Sequence, residues 1–129
     1  MTRVPEFEFT DIPAAEGTLH VEVPRGLITR EDLFRMLVEG MKLPGYFGWN
    51  FDALEECLND LSWLPHHQPL VLVHADIPLD PAFGYSRRIY LQVLRDALAA
   101  WNERQPGRLR VSFPPEYERE VGNLLIAMT

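Results

Sequence analysis

LPGYFGWNFDALEECLNDL, residues 43–61, sets a stiff aromatic loop directly ahead of a helix whose polar side is nearly all carboxylate. Asn50 can cap that helix, its side-chain oxygen accepting from a free backbone N–H two or three residues on. At about 100° per residue, Asp52, Glu55, Glu56, Asn59 and Asp60 then share one face. Phe51, Leu54, Leu58 and Leu61 share the opposite face, with Ala53 and Cys57 at the boundary. The apolar side anchors the helix, and the other side presents four carboxylates with no Lys or Arg anywhere in 43–61. A charged outer face is ordinary, and Asp in a first turn is favoured by the helix dipole. A solvated face normally mixes signs, however, because like charges spaced as Asp52/Glu56 and Glu56/Asp60 repel by a few tenths of a kcal/mol each. The uniform sign points to a cationic partner.

The loop strengthens that reading. Pro44 stiffens its entry, and Gly45 and Gly48 allow close backbone approach or an unusual φ. Tyr46, Phe47 and Trp49 therefore sit on a constrained scaffold beside the acidic helix, and rigid aromatics next to charges are the usual material of interface hot spots. No apolar periodicity runs through GYFGWN to draw the rings inward. Tyr46 and Trp49 are expected outside, while the pattern leaves Phe47 equally suited to core or surface.

Outward from this segment the chain alternates strands and helices. TLHVEV (18–23) places Leu19, Val21 and Val23 on one side, a half-buried strand ended by Pro24 and Gly26. Thr29 with Asp32 makes an imperfect capping box ahead of Leu33, Phe34, Leu37 and Val38, a short helix predicted to end near Gly40. PLVLVHA (69–75) is a continuous apolar run, the mark of a central strand covered on both faces. Between Ser86 and Glu103 the spacing of Ile89, Tyr90, Val93, Leu94, Ala97, Leu98 and Trp101 predicts a long amphipathic helix, stopped by Pro106 and Gly107. RLRVSF (108–113) supplies a third strand. Strands separated by helices pair in parallel through crossovers, so the expected class is α/β, a parallel sheet with helices packed on it. At the ends, EFEFT (6–10) alternates like an edge strand, and 114–129 reads either as a Pro-initiated helix broken near Gly122 or as a loop feeding a final LLIAM strand.

The chain has 129 residues, enough for one ordinary core and one domain. No run approaches the roughly 20 apolar residues of a membrane helix, and MTRVPEFEF lacks the basic-then-apolar order of a secretory signal, so a cytoplasmic protein is expected. The single cysteine, Cys57, excludes an internal disulfide and a several-cysteine metal site. A formal net charge of −7 disfavours nucleic acid as a direct ligand and favours a basic protein, although acidity also serves plain solubility.

Catalysis finds little support. Asp52, Glu56 and Asp96 in principle suit a divalent metal, but the chain has no HExxH, no Gly-rich phosphate loop and no Gly-x-Ser-x-Gly. His66 and His67 lie in a Pro-flanked linker and read as solvated, while His20 and His74 fall in strand patterns and read as structural. Cys57 reads as a small buried residue, because neighbouring acids raise a thiol pKa and no His is near it in sequence. No metal and no cofactor are expected.

Leu43, Pro44, Tyr46, Phe47, Gly48, Asn50, Asp52, Ala53 and Leu54 resemble, in order, the signature segment of the barstar family, intracellular inhibitors of barnase-type ribonucleases. LQVLRD (91–96) is similar to a second, weaker family segment. The resemblance implies a barstar-like fold, a three-stranded parallel sheet with helices packed on it. It covers about 18–113 within a single domain 1–129, with 1–17 and 114–129 as peripheral extensions. It also implies an inhibitor or immunity protein, not an enzyme, that plugs the cleft of a basic ribonuclease or nuclease toxin, its acids standing in for RNA phosphates. Such a protein is expected to be a monomer without membrane or direct nucleic-acid contact. By position, Tyr46, Gly48 and Asn50 belong to the binding loop, Asp52 is a binding acid, Glu56 enters the nuclease phosphate site and Asp96 flanks it. Three positions depart: Glu56 stands for a shorter Asp, Glu55 for an interface Trp, and Trp49 for a Glu, so Trp49 and Glu55 join the expected contact set. Another basic toxin or a regulatory protein is the alternative client.

Overall fold

The computed structural model describes residues 7–126. Three short strands, β1 (Leu19–Val23), β2 (Leu70–His74) and β3 (Leu109–Ser112), form one parallel sheet in the order β1-β2-β3. Leu19 pairs with Leu70, and Leu70 with Leu109, so all three strands start level. The central strand is the continuous apolar run: Leu70, Val71, Leu72 and His74 are buried, as a strand flanked and covered on both faces must be. In β1 and β3 the exposed Glu22 and Arg110 alternate with buried Val21, Val23, Leu109 and Val111. The parallel α/β expectation holds.

The crossover from β1 to β2 carries α1 (Arg30–Met41) and α2 (Phe51–Asp60). Thr29 Oγ1 accepts from Asp32 N at 3.1 Å, but the Asp32 carboxylate turns to Arg35 at 3.4 Å, so only half of the capping box forms. The end of α1 falls within two residues of Gly40, as predicted. The helix runs on to Met41 and ends at Lys42, which is left-handed (φ 56°) and returns its N–H to Val38. Gly40 itself serves packing: a Cβ there would lie 2.8 Å from Val21 Cγ1, too close for α1 to rest on β1.

The long helix, α3 (Gly84–Arg104), packs on β3 and carries α2 and α4 (Glu118–Ile126) against it. Of the stripe that the spacing predicts, Tyr90, Val93, Leu94, Ala97, Leu98 and Trp101 are buried and Ile89 is half-buried, while Leu91, outside that stripe, is buried as well. After β3, a 3-10 turn at Pro115–Tyr117 leads into α4, the Pro-initiated helix of the two readings; it passes unbroken through Gly122. Of the LLIAM run, Ala127 and Met128 lie outside the described residues.

The EFEFT alternation yields a single parallel bridge, not a strand. Glu8 N donates to Val111 O and Phe113 N to Glu8 O, each at 2.9 Å, while Phe7 meets Phe113 edge-on at 5.4 Å. Arg110 then grips the Glu8 carboxylate with both Nε (2.8 Å) and Nη2 (2.6 Å). This fork covers the free edge of β3, which would otherwise offer unpaired backbone groups to another chain. Glu6 lies outside the described residues.

Candidate functional site

Phe47 is the ring that turns inward. A turn in which Phe47 N donates to Pro44 O at 3.0 Å drives it into the core, where it meets Phe34 edge-on at 5.8 Å. Leu43 is buried beside it, so the loop is pinned at both of its apolar residues. Tyr46 (70% exposed) and Trp49 (49%) remain outside, a large apolar area that folding leaves wet.

The unusual φ falls on Trp49, not on a glycine. Trp49 is left-handed at φ 57°, while neither Gly45 nor Gly48 has a positive φ. A bulky residue there costs about 1–2 kcal/mol, and the expense is borne to hold a ring half in solvent. Trp49→Asn, which tolerates that backbone, should therefore raise stability by up to about 1 kcal/mol in a thermal melt. A clear loss of stability would show that the indole belongs to the core.

Asn50 joins loop to helix with both ends of its amide. Its Oδ1 accepts from Ala53 N at 2.7 Å, capping α2, and its Nδ2 donates to Gly48 O at 3.2 Å. Asn50→Ala is expected to cost about 1 kcal/mol in denaturant unfolding. Asn50→Asp should keep the cap and lose only the loop bond; equal stability of the Ala variant and the parent would refute the capping role.

At the far end α2 is tied to α3. Leu61, left-handed at φ 53°, caps it and donates to Cys57 O. Trp101 Nε1 donates to Leu58 O and Arg104 Nη1 to Asn59 O, both at 2.7 Å, so carbonyls without helical partners are satisfied, one of them by a cation favoured at that end of the dipole. The acidic helix is thus fixed at both ends.

On this rigid mount Asp52, Glu56 and Asp60 are exposed and Glu55 is half-buried, while Phe51, Leu54, Leu58 and Leu61 are buried opposite them. Among the described residues Asp52, Glu55 and Glu56 form no ion pair, and Asp60 accepts only the Ser62 hydroxyl at 2.7 Å. Tyr46, Phe47, Glu56 and Asp60 line a groove of about 240 Å³ between loop and helix, floored by Ala53 and Cys57. Asp60 lies on the carboxylate face read from the sequence but outside the contact set that the resemblance implies; its spacing of eight from Asp52 was the signal. The Cys57 thiol is pushed up in pKa by burial first, then by Asp60 and Glu56, and so is a poor nucleophile. Asp96 is exposed on α3, 3.8 Å from Arg95 Nε, and does not line the groove.

Among the described residues no three His, Cys, Asp or Glu side chains are grouped to hold a metal, and no helix is long and apolar enough to cross a membrane.

Residues 19–113, well over half of the chain, match the family described as Barstar (barnase inhibitor). The chain belongs to the barstar family. The matched span runs from the first residue of β1 to just beyond β3, taking in the loop and the acidic helix. The barstar-like α/β fold expected from the signature is the fold observed, and the family is one of inhibitors, not enzymes. A comparison with curated proteins gave no match.

Proposed function

We propose that this barstar-family protein inhibits a basic barnase-type ribonuclease by placing the 43–50 loop and the acidic face of α2 in its substrate cleft. One observation carries the reading: Glu56 and Asp60 line a groove with the exposed Tyr46, on a helix whose outward carboxylates form no ion pair among the described residues. Carboxylates left unpaired on a rigid surface are set to replace RNA phosphates against the nuclease's Lys and Arg. The partner thereby supplies the charge that α2 lacks. Asp52, Glu55 and Asp96 extend the acidic surface, Trp49 and Tyr46 supply the anchors, and Gly48 and Asn50 hold the loop in place. The protein acts by occupancy, as a monomer in the cytoplasm, with no catalytic step, cofactor or metal.

Titrating the protein into a barnase-type ribonuclease cleaving RNA, at low and at moderate salt, tests this. Stoichiometric inhibition that weakens with salt is expected, because complementary charge raises the association rate and is screened. The Trp and acid exchanged between positions 49 and 55 favour a second client, another basic toxin. Absence of inhibition of every barnase-type enzyme tried would move the proposal there.

A further inference from the structure

A separate cavity of about 790 Å³ opens at the C-terminal end of α2, lined by His66, His67, Arg104 and Arg108, with Trp101 at its back and Asp60 at its rim. Asp60 is the one residue it shares with the groove at the acidic face. In a chain of net charge −7, this is a concentration of cationic and imidazole groups.

Arg108 is only 4% exposed, yet it is held by carbonyls and not by a carboxylate: Nε donates to Gln68 O at 3.0 Å and Nη2 to Leu61 O at 3.1 Å. Arg104 gives Nη1 to Asn59 O and lies over the Trp101 ring at 3.9 Å, with Arg108 over the same ring at 5.0 Å. Neither guanidinium forms an ion pair among the described residues. The one lining carboxylate, Asp60, is engaged by Ser62. Two like charges thus share one indole without a counter-charge between them, and N–H donors remain on both.

The linker adds a second observation. His66 (φ 54°) and His67 (φ 55°) are successive left-handed residues with side chains, a costly backbone that the flanking Pro65 and Pro69 frame. Neither imidazole is buried, so the core gains nothing from the strain; both line the cavity instead. Forked guanidinium donors suit the oxygens of a phosphate, and the volume falls in the range of roughly 300–1,000 Å³ typical of small-molecule sites.

We propose that this cavity binds a phosphomonoester of mononucleotide size, its phosphate between Arg104 and Arg108 and its organic body against His66 and His67. The site is independent of the inhibitor reading.

Inorganic phosphate and adenosine monophosphate, titrated at constant ionic strength into the full chain, test it through the imidazole and guanidinium NMR signals. Saturable shifts confined to His66, His67, Arg104 and Arg108 are expected, with the nucleotide saturating first. Arg104→Gln should weaken both ligands about tenfold, the loss of one charge-assisted bond, and Arg104→Lys less. Glu56→Gln, on the acidic face, should change neither. Failure of both ligands to saturate, a nucleotide no tighter than phosphate, or an Arg104→Gln protein that is folded and titrates like the parent would each overturn the proposal.

Discussion

Glu56→Ala should weaken inhibition of a barnase-type ribonuclease by about 2–5 kcal/mol, the cost of truncating one partner of a desolvated charge pair. Glu56 is central by position: it lines the groove with Tyr46 on one side and Asp60 a turn further along α2, whereas Asp52 does not line it. Asp52→Ala should therefore cost less, and Asp96→Ala, outside the groove on α3, less again. The loss should appear mainly as faster dissociation, because the remaining acids still steer the encounter. Folding should not suffer. Glu56 is exposed and repelled by Asp52 and Asp60 at i,i+4, so removing it leaves stability unchanged or raises it by a few tenths of a kcal/mol. Inhibition constants and denaturant midpoints measured on the same samples separate the two effects. An Asp52→Ala/Glu56→Ala protein inhibiting as well as the parent would remove the interface from α2.

How far the site could be read beforehand depended on whether local chemistry or tertiary packing decided each residue. The two faces of α2 were legible because helical spacing alone fixes which side chains share a face, and Leu54 and Leu58 went inward accordingly. The Asn50 cap was legible because its partner lies three residues away. Phe47 was not, since its direction depends on Phe34, contributed by another helix. The end of α1 was legible to within two residues of Gly40, but the packing role of Gly40 was not, since it depends on Val21 in another element. The left-handed Trp49 had no sequence signal, for nearby glycines were the natural candidates. Trp101 showed its spacing on α3 but not that it holds the end of α2, and Arg104 lay just beyond the predicted helix; each reaches a carbonyl more than forty residues away. The N-terminal alternation predicted edge pairing and found it, though only at Glu8, where the Arg110 fork sits.

His74 gives the second large effect, on the fold. It closes β2 opposite Val23 and is 2% exposed, stacked on Phe113 at 4.2 Å. Nδ1 lies 3.0 Å from Ser112 O, a pure acceptor, so Nδ1 carries the proton; Nε2, 2.7 Å from Tyr90 Oη, then accepts from the hydroxyl. Every polar atom of the ring is satisfied in the neutral form alone. Protonating Nε2 would force the Tyr90 hydroxyl round and place a charge among apolar groups. Burial accordingly lowers the His74 pKa from 6.5 to about 4, against a smaller upward pull from Ser112, and pushes the Tyr90 hydroxyl well above its ordinary value. In the unfolded chain His74 titrates at its ordinary value, so between the two pKa values the unfolded state binds the extra proton. Stability is thus fully present above pH 6.5, falls as pH drops through the window, and levels off below about pH 4. At 1.36 kcal/mol per pKa unit the total loss is about 3 kcal/mol. Urea unfolding across that range measures it. His74→Phe should be less stable at neutral pH, because Tyr90 Oη and Ser112 O lose their partner, yet its stability should vary less with pH. If parent and variant lose stability in parallel from pH 6.5 to pH 4, the proton enters elsewhere and His74 is not the acid-sensitive group.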